Sequence, residues 1–184
     1  TLDSDLTVSV EGLIIDGNKN TLTRAENGKS DYGIQIASSV NNLTVQNLTI
    51  ERKGSPDGAV AIKIPHIAKS SIWSLENVVF EDCDQKAIYT ESLTISSIEK
   101  CKFINCGTKE TGAAMNMASA VDINLKYGIY DDIRIKECYF EGYGAGLGGA
   151  LLIKARNDGN YASNPASLTD VNIEGCTFVG NNRD

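Results

Sequence analysis

Short apolar runs return along this chain with the same internal spacing. The pattern V-x-V-x-x-L-x-I first occupies residues 8–15 and returns five more times. Anchored on the last apolar residue of each copy, the repeats end at Ile15, Ile50, Phe80, Phe103, Phe140 and Phe178. The positions two, five and seven residues before the anchor are apolar in nearly every copy, although the anchors lie 23 to 38 residues apart. A constant apolar unit with variable spacing predicts a repeat protein whose insertions are loops.

Each repeat is expected to contain three short strands. The apolar positions alternate with period two except for one three-residue step, which predicts two strands separated by a bend. The bend falls on residues that tolerate unusual backbone angles, namely Gly12, Asn47, Asn77 and Gly175. Asparagines in successive bends are expected to stack their side-chain amides. A further strand precedes each later anchor and is predicted at residues 33–36, 61–64, 87–89, 113–115 and 150–153.

These elements predict an all-β fold, a right-handed parallel β-helix, or solenoid, of about six coils. Residues 1–184 form a single domain in this interpretation. A leucine-rich repeat is the alternative, but it requires helical or L-x-x-L-x-L-x-x-N segments, and Thr, Val, Ile and Asn dominate here instead. Because the chain opens on its first repeat and ends directly after a strand, we expect an excised part of a longer protein.

The composition limits the classes of partner that the chain is expected to bind. The 184 residues carry a formal net charge of −7, which argues against nucleic acid or an anionic membrane surface as a partner. The sequence contains no run of about 18 apolar residues, so we expect no membrane insertion. The cysteines fall into two columns, Cys83 with Cys106, and Cys101 with Cys138 and Cys176. Stacked side chains in one column point the same way and do not converge for a disulfide, so we expect buried core fillers.

The repeat columns resemble those of the pectate-lyase-like superfamily of right-handed parallel β-helices along essentially the whole chain. The resemblance is nearest to surface-displayed, adhesin-type members, whose repeats carry a GGA-apolar stretch and F-x-x-N. Matching segments are residues 148–151 (GGAL) and 178–181 (FVGN), whereas residues 80–83 and 103–106 have cysteine in the place of the asparagine. The resemblance implies a bacterial, secreted or cell-surface module for adhesion or carbohydrate binding, with a glycan or a host or cell-surface protein as partner. The same scaffold also hosts polysaccharide lyases and glycoside hydrolases, and the stalks of trimeric fibres or tailspikes.

The two longest insertions supply the candidate ligand-binding residues. Residues 118–130 and 156–168 leave the coil after equivalent strands and are expected to protrude side by side. The candidates that they contribute are Tyr127, Tyr130, Asp158, Asn160, Tyr161 and Asn164. Aromatic faces flanked by amides and carboxylates suit a sugar or an extended peptide. The alternative is that the loops only pack their aromatic rings against each other.

A calcium site is a second hypothesis. The repeat register places Glu51 beside Glu81, and Asp82 follows directly. Two neighbouring carboxylates repel each other unless a cation or a proton intervenes, and Ca²⁺ prefers oxygen ligands. Calcium is therefore the only cofactor that the sequence suggests. The alternative is a solvated acidic stripe whose side chains point apart.

The resemblance to pectate-lyase-like enzymes implies an arginine base close to acidic calcium ligands. Arg134, near Asp131 and Asp132, is the candidate for that catalytic role. Its outward column otherwise holds Ser, Thr and Asn, so an ordinary surface salt bridge is the alternative. The single histidine, His66, follows a proline and is interpreted as a turn residue. We therefore favour a non-catalytic binding module over an enzyme.

Overall fold

Most of the described chain lies in three long parallel sheets. The computed structural model describes residues 1–25, 32–38, 40–56, 58–66, 72–109, 119–143 and 149–180. The strands of the first sheet are β1 (Leu6–Val8), β4 (Tyr32–Ile36), β7 (Val60–Ile64), β10 (Lys86–Thr90), β13 (Val121–Leu125) and β17 (Leu151–Ala155). The second sheet contains β2 (Ile14–Asp16), β5 (Leu43–Gln46), β8 (Trp73–Glu76), β11 (Ser96–Glu99), β15 (Ile133–Lys136) and β19 (Val171–Glu174). The third contains β3 (Thr21–Thr23), β6 (Thr49–Glu51), β9 (Val79–Glu81), β12 (Lys102–Ile104), β16 (Tyr139–Glu141) and β20 (Thr177–Val179).

Each coil contributes one strand to each of the three sheets. Every strand pairs in parallel with the equivalent strand of the next coil, as Phe103 of β12 does with Phe80 below and Phe140 above. The predicted parallel β-helix of about six coils is therefore confirmed. A small fourth sheet pairs β14 (Gly128–Tyr130) with β18 (Ala166–Leu168). The described part of the chain has no helix with the length and apolarity needed to cross a membrane.

The core follows the solenoid axis. Phe80, Phe103, Phe140 and Phe178 form a continuous stack, with ring centroids 5.0, 4.7 and 4.9 Å apart and nearly parallel planes. The first three rings have no exposed surface, whereas Phe178, in the last coil, is 48% exposed. Because the strands are in register, each ring occupies the same position in its own coil and lies against the ring of the neighbouring coil.

The cysteine columns belong to the same core. Cys83, Cys101, Cys106 and Cys138 are buried, and Cys176 is half-buried, as the two-column pattern predicts. Each thiol lies near a main-chain carbonyl of the preceding coil; Cys138 Sγ donates to the Ile98 oxygen at 3.3 Å. Burial raises the pKa of the Cys101 thiol well above its usual value. These cysteines therefore behave as small apolar side chains.

The predicted bends are confirmed at three of their four positions. Asn47, Asn77 and Gly175 have left-handed φ values of 51°, 54° and 63°. The Asn77 side-chain amide donates to Asn47 Oδ1 at 2.8 Å, which is the expected amide stacking. Gly12 also has positive φ, but it lies at a different corner, where it is level with Asn42.

The first repeat lies in a different register from the one that the pattern predicts. Leu22, and not Ile15, pairs with Ile50 and begins the column that the phenylalanines continue. Ile15 instead pairs with Val45 of the second sheet. A turn with left-handed Asn18 and Lys19 separates the two strands of this coil, so the two columns lie seven residues apart here, at Ile15 and Leu22, and five apart in the next coil, at Val45 and Ile50. The hydrophobic pattern alone does not distinguish the two columns, because both require a large apolar residue.

One first-sheet strand also lies elsewhere than predicted. Residues 33–36, 61–64, 87–89 and 150–153 fall in or overlap β4, β7, β10 and β17, as expected. The strand of the remaining coil is β13, at Val121–Leu125, and the predicted segment 113–115 lies outside the described residues. The supposed insertion 118–130 thus contains a fully buried strand, and its residues after Leu125 lead to β14.

Candidate functional site

The two loops that follow β13 and β17 lie side by side. Residues 128–130 pair in parallel with residues 166–168, which forms the small fourth sheet beside the main coil. The predicted juxtaposition of the two segments is therefore confirmed. The loop after β17 also contains a short 3-10 turn at Gly159–Tyr161.

The loop tyrosines meet, but they are not equally accessible. The rings of Tyr127 and Tyr161 make an edge-to-face contact, with centroids 5.1 Å apart and planes at 61°. Both residues are half-buried. Tyr130 is only 5% exposed, and its hydroxyl donates to the Lys126 carbonyl at 2.6 Å. Tyr127 and Tyr161 thus form the surface, while Tyr130 lies beneath it.

The polar candidates of the second loop are all exposed. Asp158 accepts two hydrogen bonds from Arg156, from Nε at 2.6 Å and from Nη2 at 2.7 Å. Asn160 and Asn164 are exposed, and the Asn164 main-chain amide donates to the Tyr161 carbonyl at 3.1 Å. The loop thus presents an arginine–carboxylate pair and two amides next to the aromatic rings.

The adjoining edge of the first sheet adds a hydrogen-bonded network. Tyr89, on β10, donates its hydroxyl hydrogen to Glu91 Oε1 at 2.9 Å and accepts from the Asn124 amide at 3.0 Å. Lys126 forms an ion pair with the same Glu91 oxygen, and Arg156 Nη1 lies 3.4 Å from Asn124 Oδ1. The strands β10, β13 and β17 are parallel and in register, so their carboxyl ends lie at one edge of the sheet. The groups at and after these ends therefore lie close together.

Two cations connect the network to the tyrosines. The Arg156 guanidinium lies 4.8 Å from the centre of the Tyr161 ring, and Lys126 Nζ lies 5.6 Å from it. Both distances are within the range of cation–π attraction. We call the group formed by Tyr127, Tyr161 and the ion pairs Lys126–Glu91 and Arg156–Asp158 the tyrosine site.

His66 borders the tyrosine site. Its ring makes an edge contact with Tyr127 at a centroid distance of 5.3 Å, and its Nδ1 lies 3.4 Å from the Tyr130 hydroxyl. Its main-chain amide donates to Glu91 Oε2 at 3.3 Å. The residue after Pro65 is thus a packing partner of the site, which its position in the sequence did not indicate.

The ionisable groups of the site hold each other in fixed charge states. Partial burial favours the neutral Glu91 carboxyl, but hydrogen bonds from Lys126 and Tyr89 outweigh it and place its pKa below the ordinary value. The Arg156 hydrogen bonds lower the pKa of Asp158. Burial raises the pKa of Tyr89. Burial lowers the pKa of Lys126, but its hydrogen bond to Glu91 and the charges of Glu91 and Tyr89 together outweigh burial and raise it. All four groups therefore keep their ordinary charge at neutral pH.

This coupling predicts a pH-dependent contribution to stability. The pKa of Glu91 is lower in the folded chain than in the unfolded chain, so acid protonates the unfolded chain first. The Glu91–Lys126 contribution is therefore complete above the ordinary glutamate pKa of about 4.3 and is lost as the pH falls through the folded-state value. A double-mutant cycle with Glu91→Gln and Lys126→Met, measured by chemical denaturation at pH 7 and pH 3, should show a smaller coupling at pH 3 than at pH 7. Equal coupling at both pH values would contradict this account.

The predicted calcium ligands are only partly brought together. Glu51 pairs in register with Glu81, as expected. Asp82 lies at the following corner, where its Oδ1 accepts from the Asn105 amide at 3.0 Å. Among the residues that the structure describes, no three His, Cys, Asp or Glu side chains are grouped so as to hold a metal ion. The calcium site stays a prediction that rests on the Glu51–Glu81 pair.

Arg134 lies apart from the tyrosine site, on the second sheet. Its Nε and Nη2 each donate to Asp132 at 2.7 Å, which is the bidentate geometry of a surface ion pair. The pair lines an open cavity of about 530 Å³ together with Asp131, Asp170, Val171 and Asn172. The structure thus matches the salt-bridge interpretation, and a catalytic role for Arg134 stays a prediction.

Comparison with known proteins adds no relative: no family model, no curated protein and no solved structure matches this chain. The architecture by itself classifies the protein as a parallel β-helix repeat protein.

Proposed function

We propose that this β-helix is a non-catalytic extracellular or cell-surface module that binds carbohydrate through the tyrosine site. The supporting observation is the edge contact of two half-buried tyrosines, Tyr127 and Tyr161, where the Tyr161 ring also lies 4.8 Å from Arg156 and 5.6 Å from Lys126. Aromatic faces cover the apolar side of a sugar ring, while convergent polar groups fix its hydroxyls. An adhesion role follows from such a site on the outside of a rigid scaffold.

The charge states at the site favour binding over catalysis. General acid–base catalysis works best with a group whose pKa lies near the operating pH. Here the pKa of Glu91 is displaced downward, and those of Tyr89 and Lys126 are displaced upward, all away from neutrality. Such groups orient a ligand well and exchange protons with it poorly.

The second candidate function is a polysaccharide lyase or glycoside hydrolase. The observation in its favour is the cavity around Arg134, which three aspartates, Asp131, Asp132 and Asp170, also line. Cleavage of polysaccharides by the wild-type protein, lost in Arg134→Met and dependent on calcium, would establish the enzyme in place of the binding module.

A fibre or tailspike stalk receives less support. Trimerisation would require an outward apolar stripe that continues from coil to coil. Among the described residues, the exposed large apolar side chains lie mostly in the first coil and the last, with Ile95 and Ile129 as scattered exceptions.

Substitution of the surface tyrosines tests the binding site. Tyr127→Ala and Tyr161→Ala should each weaken binding to the glycans recognised by the wild type on an array at least about tenfold, a change of about 1.4 kcal/mol. Both tyrosines are half-buried residues of loops, so the fold should survive, and fluorescence of the buried Trp73, the single tryptophan, reports on it.

Tyr139→Ala is the matched control. Tyr139 is also half-buried, and its hydroxyl donates to Glu141 at 2.8 Å, but it lies on β16 of the third sheet. It should bind as the wild type does. Unchanged binding by both loop variants, or equal loss in the control, would rule out the tyrosine site.

A further inference from the structure

The charges around the tyrosine site are balanced one to one. Lys126 pairs with Glu91, Arg156 pairs with Asp158 at 2.6 Å, and Lys154 Nζ lies 2.7 Å from Asp122 Oδ1. Each of these three cations thus has its own carboxylate.

The two pairs of the site itself are closed to a competing anion. Arg156 uses Nε and Nη2 for Asp158, and its Nη1 lies 3.4 Å from Asn124 Oδ1, so each of its three nitrogens already faces an acceptor. An acidic ligand would therefore have to displace Asp158 and then face its negative charge. The chain as a whole carries −7, so long-range attraction would not offset this cost.

The neighbouring cation of the first sheet is also engaged. Lys63 Nζ donates to the Tyr32 hydroxyl at 3.0 Å and lies 4.5 Å from the centre of that ring. It therefore adds no anion-binding group to the tyrosine site.

Hydroxyl groups meet no such obstacle. A hydroxyl donates one hydrogen bond and accepts others, so it can bridge an ion pair without breaking it. The Arg156 Nη1 contact with Asn124 Oδ1, at 3.4 Å, is long and leaves capacity for a better acceptor. The exposed Asp158 carboxylate offers acceptor oxygens at the same place.

We infer that the tyrosine site selects uncharged carbohydrates over acidic ones, an inference that rests on the proposed carbohydrate-binding function. The observations that carry it are the paired cations Lys126 and Arg156 and their contacts with the Tyr161 ring. The ligand class is then neutral glycans, recognised through ring faces and hydroxyls.

An array that contains neutral glycans together with uronate-containing, sialylated and sulfated glycans tests this selectivity. The wild type should bind neutral glycans, with affinities that change less than about twofold between 50 and 500 mM NaCl, because no net charge is neutralised. Binding confined to acidic glycans and weakened tenfold or more by salt would overturn the selectivity and leave carbohydrate binding intact. Binding to no glycan at all would overturn the proposed function and the inference together.

Asp158→Asn provides a second, independent arm. It removes the partner charge of Arg156 at an exposed position, so the variant should gain salt-sensitive binding to uronate-containing glycans. Asp132→Asn is its control, because it removes the same charge from a pair of the same bidentate geometry, Arg134–Asp132, outside the site. Equal uronate binding in both variants, or in neither, would contradict the inference.

Discussion

Replacement of Phe140 by alanine should lower the free energy of unfolding by about 3–5 kcal/mol, the largest effect that we expect from a single core substitution. Phe140 has no exposed surface, and its ring stacks on Phe103 at 4.7 Å and on Phe178 at 4.9 Å. The substitution removes both contacts and leaves a cavity between two coils that the in-register strands prevent from closing. Chemical denaturation followed by circular dichroism measures the change.

Phe178 is the matched control for this cavity. It belongs to the same stack but is 48% exposed and has a described ring neighbour on one face, Phe140. Phe178→Ala should therefore cost only about 1–2 kcal/mol, since less apolar surface returns to water. Similar losses for the two variants would show that burial within the stack does not determine the stability of the coil.

Loss of the Lys154 ammonium should be the second largest effect, about 3 kcal/mol in Lys154→Met. Lys154 pairs with Asp122, whose side chain is 2% exposed on the outer face of the first sheet. Without the lysine, a carboxylate stays buried and loses its opposite charge. Denaturation at pH 7 measures the destabilisation, and the double variant Asp122→Asn/Lys154→Met should recover part of it because no charge is then buried.

Lys136→Met tests whether burial is the cause. Lys136 forms an ion pair of comparable length with Glu174, at 3.2 Å, but both side chains are well exposed. Exposed pairs contribute about 0–1 kcal/mol, so this variant should be nearly as stable as the wild type. A loss as large as that of Lys154→Met would refute the burial explanation.

The fold could be predicted because the core of a solenoid repeats. Phe80, Phe103 and Phe140 occupy one column at equal offsets from their neighbours, and each coil confirms the register of the next. The prediction was wrong for the first coil, because a turn separates Ile15 from Leu22 and the pattern allows either residue in the apolar column. The resemblance to the pectate-lyase-like superfamily supplied the same architecture, and the superfamily itself stays a proposal.

The candidate site was only half predictable. The loop tyrosines were found because two insertions at equivalent places in neighbouring coils must protrude together. Glu91, Lys126 and Arg156 were missed because their meeting depends on the register of β13, and that strand was placed at residues 113–115. The alternating residues of Val121–Leu125, with Asp122 and Asn124 between apolar neighbours, were the signal that could have located it.

The ion pairs in and beside the tyrosine site also affect how the solenoid resists mechanical load. In a linear array, the weakest junction between neighbouring units decides where the array separates under load. Glu91–Lys126 joins the coil of β10 to that of β13, and Asp122–Lys154 joins the coil of β13 to that of β17. These coils are joined by ion pairs on the outside as well as by the phenylalanine core. Tension applied at a bound ligand would therefore act on two junctions that have both kinds of contact.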